Sequence, residues 1–121
     1  MISIRDAKHR RAAALVALAD PTRARIVELL ADRPHTASEI YAAFPIAGPA
    51  VSRHLRVLRE AGLVAERRPE HDRRVRLYTL RAEPVRDLGA WLDALGRGWQ
   101  SRLDAFADHV ALRTDRPRGA P

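Results

Sequence analysis

A serine and a histidine stand two positions apart in the segment PAVSRHLRVLREAGL, residues 49 to 63, and such a pair could supply a nucleophile and its general base. The apolar spacing of the segment predicts a helix from Pro49 to Ala61. At about 100° per residue, Ser52 and His54 then point roughly 200° apart and cannot share a hydrogen bond. We therefore interpret this segment as a binding helix and not as a catalytic one.

The rest of the chain offers little material for catalysis or metal binding. Cysteine is absent, which excludes disulfides, thiolate nucleophiles and cysteine-ligated metals. An enzyme needs its reactive groups clustered, but the 15 acidic residues are scattered. The five histidines fall on separate predicted elements: His9, His35, His54, His71 and His109. We predict no enzymatic activity and no cofactor.

Arginine dominates the charge of the chain. Of 121 residues, 22 are Lys or Arg and 15 are Asp or Glu, which gives a net charge of +7, and all the basic residues except Lys8 are arginine. The guanidinium fork suits phosphate oxygens and guanine edges. Basic residues cluster at 5–11, 53–59 and 67–81, and this placement favours double-stranded DNA as the partner.

Helix start and stop signals divide the first part of the chain into short helices. Asp20 is expected to cap a helix that has Pro21 in its first turn, where the missing N–H costs nothing. Thr36 and Glu39 have the spacing of a capping box, in which the side chain of each residue accepts a hydrogen bond from the backbone N–H of the other. The predicted helices cover about residues 4 to 19, 21 to 31 and 36 to 43.

The binding helix and the strands after it complete a recognisable motif. We expect Gly48 to cap this helix, Pro49 to be its first residue and Gly62 to be the left-handed residue that ends it. Alternating residues then predict a β-hairpin with strands at 63–68 and 75–80. A helix-turn-helix followed by a hairpin is a winged helix, mainly α with a small β-hairpin, in the order α1-α2-α3-α4-β-β-α5.

The outward face of the binding helix and the hairpin are the predicted DNA contacts. Residues at the N-terminal end of such a helix reach base edges, and hairpin arginines contact phosphate or the minor groove. The predicted DNA-binding residues are Gly48, Pro49, Ala50, Ser52, Arg53, His54, Arg56, Arg68, Arg73 and Arg74. The alternatives are a solvated basic face, a Ser52 hydroxyl bonded to its own helix, and a His54 packed with one nitrogen satisfied.

From residue 85 onward, apolar side chains recur every three or four positions, which is typical of a helix that packs along one seam. Gly89, Gly96 and Gly98 weaken a helix interior, so residues 85 to 111 form either one helix or two. We expect the terminal helices to pair across a two-fold axis. The predicted dimer contacts are Leu15, Leu18, Leu88, Trp91, Leu92, Leu95, Trp99, Leu103 and Phe106. Trp91 and Trp99 could instead line a pocket for an effector, whose identity the sequence does not disclose.

The length of the chain favours a single domain over residues 1–112, followed by a polar, disordered tail over residues 113–121. No apolar run approaches the roughly 20 residues that cross a bilayer, so we predict no membrane association. We recognise no export signal either. The predicted location is the cytoplasm.

Three segments resemble the ArsR/SmtB family of winged-helix transcriptional regulators: ALADPTRARIVELL from residue 17, PAVSRHLRVLREAGLV from residue 49 and RRVRLYTL from residue 73. The resemblance implies a homodimer that binds a palindromic operator, usually represses transcription, and releases DNA when an effector binds. The metal sensors of the family carry two cysteines at the positions of Thr36 and Ser38, so the resemblance is to a non-metal-sensing branch. Two alternatives remain: a MarR-like regulator, whose Asp-x-Arg wing element residues 71 to 74 partly match, and a winged helix that binds a protein instead of DNA.

Overall fold

A computed structural model of the protein describes residues 4 to 114, with side chains through residue 112. Five helices and three short strands follow one another in an order that agrees with the predicted winged helix. The elements are α1 (Ile4–Leu18), α2 (Pro21–Asp32), β1 (His35–Thr36), α3 (Ala37–Ala43), α4 (Gly48–Glu60), β2 (Val64–Arg67), β3 (Leu77–Leu80) and α5 (Ala82–Thr114). The bounds of α1 and α2 agree with the predicted ones to within one residue.

Two helices begin at the predicted caps. The carboxylate of Asp20 accepts a hydrogen bond of 3.0 Å from the backbone N–H of Arg23, which satisfies one free donor at the start of α2. The capping box before α3 is complete: the Glu39 N–H donates to the Thr36 hydroxyl at 3.2 Å, and the Thr36 N–H donates to the Glu39 carboxylate at 3.3 Å. These caps fix where the two helices that precede α4 begin.

The start of α4 differs from the prediction, whereas its end agrees. The predicted cap at Gly48 is wrong: Ala47 is the N-cap, and Gly48 and Pro49 both lie inside the first turn, which has no side-chain cap. At the other end, Gly62 has a φ of +79°, the conformation that glycine adopts at least cost. The N–H of Leu63 reaches the carbonyl of Leu58 at 3.0 Å, which is the long hydrogen bond of a Schellman motif.

The sheet contains the predicted hairpin and one additional strand. Its order is β1-β3-β2, and all pairs are antiparallel. Tyr78 of β3 lies opposite His35 on one side and Glu66 on the other. The added strand, β1, is two residues long, too short for the alternation that identifies a strand in sequence.

The core is built from buried side chains of the helices α1 to α4 and of the sheet. Burial of apolar side chains is the main source of stability in a domain of this size. The inner face of α4 contributes Val51, Leu55 and Leu58, each at most 1% exposed. The other fully buried large side chains are Ile26, Ile40 and Leu63. With its inner face fixed in this way, α4 presents its other face to solvent.

The last helix is one continuous element, which answers the question of one helix or two. It begins at Ala82, three residues before the predicted start, and passes through Gly89, Gly96 and Gly98 without a break. It ends at Thr114, so its last two residues belong to the predicted tail, and residues 115–121 of that tail lie outside the described residues. The chain divides into two compact units between Arg86 and Asp87. Within the part that the structure describes, no helix has the length and apolar character needed to cross a membrane.

Candidate nucleic-acid interface

The outward face of α4 carries two arginines whose side chains make no hydrogen bond or ion pair with the part of the chain that the structure describes. Pro49, Arg53 and Arg56 are exposed, on the side of the helix opposite the buried stripe. Among residues 4 to 112, no hydrogen bond or ion pair involves the guanidinium of Arg53 or of Arg56. Gly48 is exposed and Ala50 is half-buried in the same first turns. This face therefore offers two unpaired cations beside a helix N-terminus, a combination that favours anionic ligands.

Ser52 belongs to a hydrogen-bonded chain of three side chains. Its hydroxyl lies 2.8 Å from the phenolic oxygen of Tyr41 on α3, and Arg76 donates to that same oxygen at 3.0 Å. The hydrogen bond with Ser52, followed by that from Arg76, lowers the pKa of Tyr41 below its usual value, although burial opposes the shift. The chain joins α3, α4 and the segment that leads into β3. The predicted alternative for Ser52, a bond to its own helix, is absent from the described residues.

The His54 ring faces the junction of α1 and α2. Its Nδ1 atom lies 3.4 Å from Nη1 of Arg23 and 3.8 Å from the carboxylate of Asp20. The shorter contact defines the interaction better, because 3.8 Å exceeds hydrogen-bond length. Arg23 in turn donates from Nε to the carbonyl of Ala17 at 2.7 Å. Ser52 and His54 thus bind different elements, in agreement with the divergence that their spacing predicts.

The Asp20 carboxylate stabilises the same junction electrostatically. Its pKa is lowered, first by the hydrogen bond from the Arg23 backbone N–H and also by the charges of His54 and Arg23. The carboxylate is therefore ionised at neutral pH, where it caps α2 and faces two basic side chains. A tether between the α1–α2 junction and α4 restrains the position of the outward arginines.

The three hairpin arginines that were predicted to contact DNA are all exposed, and their surroundings differ. Arg73 and Arg74 lie at the tip, where the side chain of Asp72 accepts hydrogen bonds from the backbone N–H and the Nε of Arg74. Arg68 donates to the carbonyl of Arg73 at 3.0 Å and lies 3.7 Å from the carboxylate of Glu66. Arg68 therefore links the two arms of the hairpin, which leaves Arg73 with the freest side chain of the three.

The sequence did not predict the roles of three residues at this surface. Tyr41 and Arg76 are 35 positions apart, and only the tertiary fold brings them together at Ser52. The sequence places Tyr41 in the predicted helix at 36 to 43 and Arg76 in the predicted strand at 75–80, but it carries no signal that the two side chains meet. Glu66 was also missed: it pairs with Arg59 at 3.0 Å and removes that arginine from the set of free cations on α4.

The predicted dimer contacts differ in how much surface they present in the single chain. Leu88 is only 8% exposed, so it has little surface left for a partner. Leu18 and Trp91 are half-buried. The remaining predicted contacts are exposed: Leu15, Leu92, Leu95, Trp99, Leu103 and Phe106. On α5 these exposed positions follow one stripe, which ends with Val110.

Metal ligands do not cluster in the described part of the chain. Residues 4 to 112 contain no group of three or more His, Cys, Asp or Glu side chains that could hold an ion. The Thr36 hydroxyl is occupied in the capping box, and Asp104 accepts a hydrogen bond from Gln100. Neither residue is arranged as a ligand.

Comparison with known proteins identifies similar chains. Residues 18–67 match the model of a helix-turn-helix domain. The chain is 44% identical over 99 residues to the HTH-type transcriptional regulator Rv2034 of Mycobacterium tuberculosis, covering 82% of this chain and 87% of that one. It is 38% identical over 52 residues to the transcriptional repressor SdpR of Bacillus subtilis, covering 43% and 58%. The crystal structure of an ArsR family transcriptional regulator superposes with a TM-score of 0.66 at 30% identity, covering 75% and 97%.

Proposed function

The chain belongs to the ArsR family of winged-helix transcriptional regulators and is a DNA-binding protein, and from this premise we propose that it acts as a homodimeric repressor on a palindromic site. The similarity to a transcriptional repressor supports the sign of regulation. The family match favours this reading over the MarR-like and protein-binding alternatives. We propose residues 1–112 as the functional domain and the cytoplasm as the place of action.

The proposal rests on the outward face of α4, where two exposed arginines are unpaired among the described residues. A free guanidinium on an exposed helix can form two parallel hydrogen bonds with the O6 and N7 atoms of guanine in the major groove. Arg53 and Arg56 meet that condition, because no acidic side chain among residues 4 to 112 neutralises them. The first turn of the helix, Gly48 to Ala50, then lies close to the duplex.

The wing supplies the second part of the proposed interface. Arg73 and Arg74 project from its tip and contact phosphates or the minor groove. Arg68 contributes mainly by holding the two arms together, because its guanidinium is already engaged. For His54 we propose support of α4 through Arg23, with the ring restraining the helix rather than reading a base.

The proposal is tested by selection from a pool of randomised duplexes, followed by footprinting of the selected sequence. We expect a sequence with two-fold symmetry whose half-sites are one helical turn apart, about 34 Å, or somewhat more. A protein that binds the selected and random duplexes equally at physiological salt would contradict the proposed function.

Replacing Arg53 with alanine is expected to cost about 1 to 3 kcal/mol of binding free energy, and mostly on the selected duplex. The physical reason is that a base contact contributes only where the correct base is present. Fluorescence anisotropy on the selected and random duplexes measures the difference. Arg97→Ala on α5 removes the same charge outside the helix-turn-helix unit and is the matched control. Equal losses on both duplexes would indicate a phosphate contact instead.

Replacing Arg73 with alanine is expected to weaken binding to all duplexes alike. One phosphate contact fewer releases about one counterion fewer, so the slope of log affinity against log salt should become shallower by about one unit. A salt titration of wild-type protein and variant on both duplexes provides the measurement. An unchanged slope, or a loss confined to the selected duplex, would remove Arg73 from the phosphate contacts.

A further inference from the structure

We propose that Tyr41 and Arg76 are positioning residues that orient the Ser52 hydroxyl so that its proton points to a hydrogen-bond acceptor on the bound duplex. The inference rests on the proposed function, because it concerns how the same interface recognises DNA. It adds two residues to that interface, one on α3 and one just before β3.

The direction of the hydrogen-bonded chain follows from the chemistry of its first member. A guanidinium has donors only, so the 3.0 Å contact between Arg76 and Tyr41 has one possible direction, from nitrogen to the phenolic oxygen. Tyr41 has one proton of its own to place. Within residues 4 to 112, the remaining hydrogen-bond partner of that phenol is the Ser52 hydroxyl at 2.8 Å.

The 2.8 Å contact allows either hydroxyl to donate, and the relative acidity of the two groups assigns the Tyr41 phenol as the donor to Ser52. With the proton directed to Ser52, the phenol accepts one hydrogen bond and donates one. With the opposite direction, the phenol would accept two hydrogen bonds, and its own, more acidic proton would be the one without an acceptor among the described residues. A phenol is also a better donor than an aliphatic hydroxyl because it is the stronger acid. The Arg76 guanidinium, which donates to the same oxygen, strengthens this donor further.

The consequence is a serine hydroxyl whose own proton is available. One lone pair of the Ser52 oxygen accepts from Tyr41, and the described residues provide no acceptor for the Ser52 proton. Ser52 lies in the second turn of α4, one residue before the exposed Arg53. A hydroxyl with its proton available suits an acceptor on the duplex, either a phosphate oxygen or a base acceptor such as purine N7.

The test compares Tyr41→Phe, Ser52→Ala and the double variant on the selected and random duplexes. Tyr41→Phe retains the ring and removes only the hydroxyl. We expect each single variant to lose about five- to tenfold in affinity, as for one hydrogen bond. The double variant should lose no more than Ser52→Ala alone, because Tyr41 acts through Ser52. Ser101→Ala removes a hydroxyl from an exposed position on α5 and should bind as the wild type does.

The outcomes separate the possible explanations. Losses confined to the selected duplex identify a base acceptor, and equal losses on both duplexes identify a phosphate oxygen. The inference is overturned if Tyr41→Phe lowers only the melting temperature, or if the loss of the double variant is the product of the two single losses. If the wild-type protein itself does not prefer the selected duplex, the proposed function fails, whereas unchanged binding by the variants overturns this inference alone.

Discussion

Replacing Leu103 with glutamate is expected to convert the proposed dimer to a monomer and to reduce affinity for the selected duplex by about a hundredfold or more. Leu103 is 55% exposed and lies between Trp99 and Phe106, which are 57% and 67% exposed, on the apolar stripe of α5. A stripe of this kind on a DNA-binding protein favours a second copy as its partner. A carboxylate buried there without a cation would be costly.

The loss in DNA affinity follows from the link between two half-sites. When one half of a dimer is bound, the other half is held near its site at a high effective concentration, which contributes a factor of about 10² to 10⁴. A monomer lacks that contribution, although its α4 is unchanged. Sedimentation equilibrium gives the oligomeric state, and anisotropy gives the affinity. Ser101→Glu, roughly 160° from Leu103 around the helix axis, is the matched control and should remain dimeric. A Leu103→Glu variant that stays dimeric would show that the stripe is not the interface.

The sequence predicted the elements whose signals are local. The capping box of Thr36 and Glu39, the cap at Asp20 and the left-handed Gly62 each depend on residues a few positions apart, and the structure confirms all three. The inner stripe of α4 was equally clear, because Val51, Leu55 and Leu58 recur with the period of a helix. Short-range patterns of this kind determine local backbone conformation almost independently of the rest of the fold.

Contacts between distant segments were not predictable in the same way. The strand β1 exists only because its two residues pair with β3, and nothing in those residues requires a strand.

Local signals can also be ambiguous. The Gly48 cap was wrong because glycine followed by proline is equally compatible with a cap and with the first helical turn. The continuity of α5 through Gly96 and Gly98 shows that a cost of up to about 1 kcal/mol per glycine does not by itself break a long helix.

In the candidate site, too, some features follow from local sequence patterns and others depend on the tertiary fold. The positions of Arg53 and Arg56 on the outward face follow from helical periodicity alone. Which arginines remain free does not follow from periodicity. Arg59 and Arg68 lie in the same basic clusters as the predicted DNA contacts, yet both contact Glu66. Sequence patterns therefore predict the charged surface, and only the tertiary structure distinguishes the cations available to a ligand from those already paired.

Replacing Leu58 with alanine is expected to lower the free energy of unfolding by about 2 to 5 kcal/mol, a large part of the 5 to 15 kcal/mol typical of a domain. Leu58 is fully buried on the inner face of α4, so its truncation removes apolar contacts and leaves a cavity. Urea denaturation measures the change. Leu112→Ala makes the same substitution at a residue of α5 that is 71% exposed. It should change the free energy of unfolding by less than about 0.5 kcal/mol. Similar effects for the two variants would contradict the assignment of the core.

The same variant separates the stability of the fold from the contact with DNA. Because Leu58 points away from the outward face, the folded fraction of Leu58→Ala should bind the selected duplex with nearly the wild-type affinity. Duplex at about a hundred times its Kd should then restore about 2.7 kcal/mol of stability, since it binds only the folded state. The measurement is the shift in the urea midpoint on addition of duplex, compared with the same shift for Arg53→Ala. At that same duplex concentration, Arg53→Ala should show the opposite combination, with normal stability alone and a smaller gain from DNA. If Leu58→Ala gained no stability from duplex, the inner face of α4 would have to take part in recognition, and the separation of its two faces would be wrong.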